Sequence, residues 1–155
     1  MSSAPIREGV IAGLIAGIVF GLMMQMMSAP TPEGGQMPMI LMVGMVVGFP
    51  TLLAGWAYHL FNSAVIGAVF GLLLGRRVHG FASGIGMGAA YGLIWWVLGA
   101  LILMPILLGM SPFAPLMMPP MRPVAVGSLI GHLLYGVVLG AVYVVRLRPA
   151  TLAHA

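Results

Sequence analysis

Two histidines, His59 and His132, lie inside long apolar runs with no charged residue close to either in sequence. An ionisable side chain in such a setting is costly, and it marks a functional hypothesis with a partner to be found. One chemistry open to the pair is axial ligation of a b-type haem, each imidazole taking one face of the iron. Tyr58, Asn62 and Tyr135 stand close enough in sequence to orient the rings, and neighbouring glycines would admit a flat macrocycle. The plainer alternative is that each neutral ring bonds across a helix interface to a hydroxyl, an amide or a carbonyl, a common adhesive in membrane bundles.

Methionine offers a second chemistry. The chain has 15 Met and no Cys, and every Met except Met1 and Met87 falls toward one end of the hydrophobic runs or in the loops there. Thioethers are soft, neutral ligands suited to Cu(I), and Met23, Met26, Met117, Met118 and Met121 are the candidate ligands. Met also fills irregular space and suits adaptable docking surfaces, so the same clusters read equally as a contact face.

Other reactions are set aside by what is missing. There is no Asp, no Lys and no Cys, and the two Glu (Glu8 and Glu33) bracket the first apolar run. The sequence therefore offers no paired carboxylates, no Ser-His-Asp set, no thiolate metal site and no phosphate loop with its lysine. No enzymatic activity is expected. His79 and His154 stand among arginines and read as solvated or headgroup-facing. Trp56, Trp95 and Trp96 read as interface anchors, with a pigment or quinone flanked by Trp95 and Trp96 as the sharper option.

The elements that must position these residues are transmembrane helices. Hydrophobic residues make up 61% of the 155 and charged residues 5%, where a soluble domain carries roughly 25% charged. Four runs reach the ~20 apolar residues that a membrane-crossing helix needs, at about 8–27, 51–75, 84–108 and 124–146. The first resembles a secretory leader, but its apolar stretch exceeds the ~7–15 residues of a leader core. It is expected to be retained. Arg7, Arg76, Arg77, Arg146 and Arg148 all fall on one side of a four-crossing path, with Arg122 alone on the other. The positive-inside rule then puts both termini in the cytoplasm of a cell (inner or plasma) membrane protein. The arginines serve topology, and nucleic acid is not an expected partner.

The chain also matches itself. Gly9, Gly13, Gly17, Phe20 and Gly21 align with Gly80, Gly84, Gly88, Tyr91 and Gly92 at one offset, and His59, Val65, Gly67 and Ala68 align with His132, Val138, Gly140 and Ala141 at nearly the same one. The fold expected is an all-α membrane protein, a four-helix bundle of two tandem hairpins (8–75 and 80–146) within one domain, 1–155. Two hairpins of even span number insert alike, related by a pseudo-two-fold axis along the membrane normal. That places His59 and His132 at equal depth, about 12 Å inside the outer boundary. Glycines at every fourth position, Gly9, Gly13, Gly17 and Gly21 on the first run and Gly84, Gly88 and Gly92 on the third, leave a stripe nearly bare of side chain. Gly67, Gly71, Gly136 and Gly140 continue the stripes that carry the histidines. Such stripes let helices approach closely where lipid offers no hydrophobic drive between them. The outer loops, 28–50 and 109–123, contain apolar stretches too short or too broken by proline to cross.

The strings WAYHLFNSAVIGAVFG and GHLLYGVVLGAVY resemble a pattern of small, uncharacterised four-span membrane proteins of bacteria and archaea. The resemblance covers most of the chain and implies the four-span architecture, with no activity or ligand attached. Taken together, the residues imply a non-catalytic membrane subunit or assembly factor that packs against lipid and against other membrane subunits or its own copies. Haem binding through His59 and His132, and copper handling through the Met clusters, are the alternatives.

Overall fold

A computed structural model describes residues 4–31 and 33–152, with side chains placed over 5–31 and 33–147. His154 and the side chain of Arg148 lie outside the described residues. The long elements are α1 (Ala4–Met26), α3 (Leu52–Leu74), α4 (Phe81–Trp95) and α7 (Arg122–Leu152), with short helices α2 (Met39–Met45), α5 (Met104–Leu107) and α6 (Ala114–Met117) between them. Four stretches are long and apolar enough to cross a membrane: Pro5–Met26, Leu52–Arg77, Phe81–Leu107 and Pro119–Leu147. They fall within a few residues of the four runs expected. Thr51 caps α3 by accepting from the Ala54 amide at 3.2 Å, and Ser83 folds back on the Gly80 amide at 3.1 Å to start α4.

The helices are assembled as a row: α3 against α1, α1 against α7, α7 against α4. The α1–α3 and α4–α7 seams are backbone on backbone. A Cβ placed on Gly9 would collide with the Gly67 carbonyl, one on Gly13 would lie 2.9 Å from the Gly67 Cα, and one on Gly17 would strike Ser63. On the other side Gly84 meets Gly140, Gly88 meets Gly136, and Gly92 meets the His132 carbonyl in the same way. Gly71 lies over the Pro5 carbonyl, while Gly21 receives the Trp56 ring. At such separations many weak dispersion contacts accumulate along each seam. The α1–α7 seam is built differently, ring into notch: Gly131 receives Phe20 and Gly127 receives Met27.

No comparable side-by-side packing joins α3 to α4. They are bridged near mid-span, on the side toward Arg76 and Arg77, where the Tyr91 hydroxyl donates to the Ile66 carbonyl at 2.8 Å. Phe70 there packs edge-on against Tyr91 and Tyr143. Toward the opposite, Met-rich end they part. Near the Arg76 end, Glu8 is buried and accepts from Arg146 Nε of α7 at 2.7 Å and from Arg7 at 2.9 Å. The Tyr143 hydroxyl is buried close to Gly75 with no hydrogen-bond partner among the described residues.

At the Met-rich end the connections are ordered. Strands β1 (Ser28–Pro30) and β2 (Gln36–Pro38) form a small antiparallel hairpin, which an all-helical expectation lacked. Its turn is closed by Gly34 at φ +85° and by the Gly35 amide donating to Thr31 Oγ1. Helix α2 then tucks against α3, where the Ile40 carbonyl sits over Gly55. Beyond α4 the helix widens into a π segment, Trp96–Leu103, and runs on into α5. Pro105 has no N–H for the helical ladder, and the Leu101 carbonyl, the acceptor it would have used, takes the Phe113 amide at 2.6 Å instead. That bond folds the following loop back onto the helix end.

Candidate ligand cavity

The parting of α3 and α4 leaves a cavity of about 440 Å³, within the ~300–1,000 Å³ typical of small-molecule sites. Its floor is Phe20 and Met24 of α1 with Ser128, His132 and Tyr135 of α7. One wall is α3, through Tyr58, His59 and Asn62; the other is Trp95 with Gly99 and Leu103 of the π segment. Helix α2 and residues Met110, Pro115 and Met121 roof it at the Met-rich end. The wall side chains Val65, Leu103, Ile106 and Leu107 are also exposed on the outside of the bundle. The cavity therefore meets the surface sideways, between α3 and α5.

Both histidines line it, in unlike roles. His59 is buried and its Nε2 reaches across to the Gly17 carbonyl at 2.8 Å, adding a hydrogen bond to the α1–α3 seam. His132 turns back on its own helix, Nδ1 to the Ser128 carbonyl at 2.7 Å. A carbonyl only accepts, so Nδ1 carries the proton. In the neutral ring Nε2 then presents a lone pair. A Cβ on Gly99 would stand 3.9 Å from that Nε2, which places the lone pair at the cavity wall. The Asn62 and Tyr58 side chains make no hydrogen bond among the described residues.

The haem expectation meets a steric fact here. Phe20 stands edge-on to both imidazoles, its centroid 5.4 Å from His59 and 5.0 Å from His132. Haem b held by both would need the macrocycle between the rings and a lone pair from each directed at one iron. Phe20 occupies that ground, and His59 Nε2 is engaged with Gly17. The residues as arranged do not fit a bis-histidine haem. Of the residues expected to orient the imidazoles, Tyr135 instead donates to the Ser63 carbonyl at 2.8 Å.

The Met residues are sorted by the fold in a way their spacing did not announce. Met26 is 87% exposed and Met117 74%, Met118 is exposed, and Met23 packs beside Gly131. Met121 alone of the candidate copper ligands lines the cavity, beside Met24, Met39, Met42, Met104 and Met110. Among the described residues no cluster of three or more His, Cys, Asp or Glu side chains is present. A cation in the cavity would have thioethers and imidazole for company and no carboxylate to offset its charge.

Two tryptophans expected at a headgroup belt hold the bundle together through their indole N–H. Trp56 donates to Gln25 at 2.8 Å, and Trp96 to the Ala125 carbonyl and Ser128, each at 3.1 Å. The exposed His79 sits at the start of α4 beside Arg77, its amide donating to Ser83. The sequence missed Gly99, Asn62 as a cavity group, and the Glu8–Arg146 pair. An acid at the edge of an apolar run was the one available signal for the last. Compared with known proteins, the chain matches no family model, no curated protein and no solved structure, so its cavity has to be interpreted from its own chemistry.

Proposed function

We propose that the protein is a non-catalytic integral membrane accessory protein, a subunit or assembly factor, that works by contact through its Met-rich end. One observation carries this. The loops at that end are ordered by the β1–β2 hairpin, the tucked α2 and the Phe113–Leu101 bond, yet they and the first turn of α3 present large apolar side chains outward: Phe49, Leu53 (83% exposed) and Met117. A prebuilt apolar platform suits docking, and its Met content suits an adaptable fit. The partners proposed are other membrane proteins or a second copy of this chain. The setting is a cell membrane with both termini cytoplasmic, on the strength of the arginine distribution.

We further take the two hairpins as tandem copies. Equivalent positions meet in both: Gly13 with Gly67 and Gly84 with Gly140, Gly17 with Ser63 and Gly88 with Gly136. Under that duplication the counterparts of Gly127 and Gly131 on α3 are Ala54 and Tyr58. The α1–α7 seam closes because two glycines make room for Phe20 and Met27. On α3 the matching position is Tyr58, which has a side chain where α7 has none and lines the cavity beside the sister seam.

Because the chain has no Cys, single cysteines report cleanly. Leu53→Cys and Met117→Cys, treated in native membranes with a short bifunctional thiol-to-amine or thiol-to-thiol reagent, are expected to give discrete adducts with one partner or with a second copy. Leu73→Cys, also exposed but at the far end of α3 from the platform, serves as the lipid-facing reference. Adducts from the platform no more frequent than from Leu73→Cys would refute the proposal.

A further inference from the structure

We propose that the cavity between α3 and α4 binds a quinol-type amphiphile from the bilayer, its ring hydroxyl donating to His132 Nε2 and its tail leaving between α3 and α5. This goes beyond the contact role and does not depend on it.

Four features of the cavity converge on that chemistry. His132 offers a lone pair and no proton there, because Nδ1–H is committed to the Ser128 carbonyl at 2.7 Å. The ligand must therefore bring a donor to it, and a hydroxyl does. Across the cavity the Asn62 amide and Tyr58 hydroxyl, both without a partner among the described residues, can donate to a second oxygen on the ligand. Polar groups left bare in an apolar interior are costly, so a ligand with oxygens at two edges of one ring relieves both walls. The remaining lining is apolar, with Phe20 and Trp95 offering flat faces to a ring.

The route of access selects the source. Toward the Met-rich end the cavity is roofed by α2 and by Met110, Pro115 and Met121, whereas its side rim is Val65, Leu103, Ile106 and Leu107 on the lipid-facing surface. A ligand dissolved in the membrane reaches it sideways. No redox step is invoked; the inference is one of binding.

The test uses purified full-length protein in phosphatidylcholine nanodiscs, titrated with decylubiquinol and decylubiquinone while tryptophan fluorescence is read, Trp95 being at the cavity wall. The quinol is expected to saturate one site and to bind more tightly than the quinone, which has no hydroxyl proton to give. His132→Leu is expected to weaken the quinol about tenfold while changing the quinone little. His132→Gln, with an amide oxygen as acceptor, should recover part of the loss. Gly99→Leu, which drives a side chain into the space before His132, should abolish both, and Gly99→Ala, whose Cβ would stand 3.9 Å from Nε2, should weaken the quinol less. Helical content and detergent-unfolding midpoint are measured for each variant. If His132→Leu does not fold, the contrast between the two Gly99 variants decides. Equal binding of quinol by wild type and His132→Leu, binding that survives Gly99→Leu, or displacement of quinol by stoichiometric Cu(I) would each overturn the proposal.

Discussion

The α4–α7 seam gives a sharp test, because two glycines of one helix face opposite fates. Gly88 is buried against α7. A Cβ there would strike the Gly136 carbonyl oxygen and would stand 2.9 Å from its carbon and 3.2 Å from the Gly140 amide nitrogen, where ordinary contact begins at 3.4 Å. The struck atoms are backbone, so no side chain can swing away; the helices must separate by about 0.5 Å or more to relieve the carbon contact alone. A gap of ~0.5–1 Å forfeits about a quarter to a half of each dispersion well along the seam. Overpacking of this kind costs about 1–3 kcal/mol. Gly86, two residues away, is exposed, and a Cβ there meets nothing within 4 Å. In water a helical Gly→Ala gains roughly 0.5–1 kcal/mol, but helices in lipid remain formed when the bundle comes apart, so Gly86→Ala should shift stability by only a few tenths. The assay is dodecyl-sulfate-induced unfolding in bicelles, followed by tryptophan fluorescence. Gly88→Ala is expected to lower the unfolding free energy by ~1–3 kcal/mol relative to Gly86→Ala. Equal midpoints for the two variants would show that the seam is not held by backbone proximity.

Three further outcomes follow from the same packing. Gly131→Val should cost ~1–3 kcal/mol in that assay, because it evicts the Phe20 ring from its notch in α7, while Gly80→Ala, with open space around its Cβ, should behave as wild type. Tyr143→Phe should be neutral or stabilising by up to ~1 kcal/mol, since the hydroxyl removed is buried without a partner; a clear loss of stability would mean the hydroxyl is bonded in the bilayer. Glu8→Gln should weaken the bundle by about 1 kcal/mol, below the ~1.5–3 kcal/mol of bonds to a charged group because the Arg146 side chain is 43% exposed. Its diagnostic is that Arg146→Leu on top of it adds little further loss.

The spans were legible because length and hydropathy are read directly from residue type. The glycine seams were legible because a four-residue repeat returns to one helical face. What failed to show in the sequence arose from competition between backbone partners. Nothing in the string SAPTPEGGQMP forces strands, but with Gly34 at positive φ the chain reverses tightly enough to pair them. The fold of the loop after α5 was hidden because its origin is non-local: Pro105 leaves the Leu101 carbonyl to an amide eight residues beyond the proline. The two histidines looked alike because their neighbours are alike. They part company because His59 faces a bare glycine carbonyl on α1, while His132 faces an open wall and turns to its own helix. The partition of the methionines depends on which loop residues fold inward, and side chains so flexible carry little pattern of their own.

The bond between Glu8 and Arg146 spans 138 positions of the chain, and this bears on how the protein is born. Emerging from a ribosome, the first helix carries its acid into the membrane boundary long before its distant guanidinium has been synthesised, with only the adjacent Arg7 as company. The clasp snaps shut after the last helix is threaded. Nascent chains halted short of residue 146 should accordingly hold a closed α1–α3 hairpin with its acid unclasped, and gain their last increment of protease resistance only when Arg146 arrives.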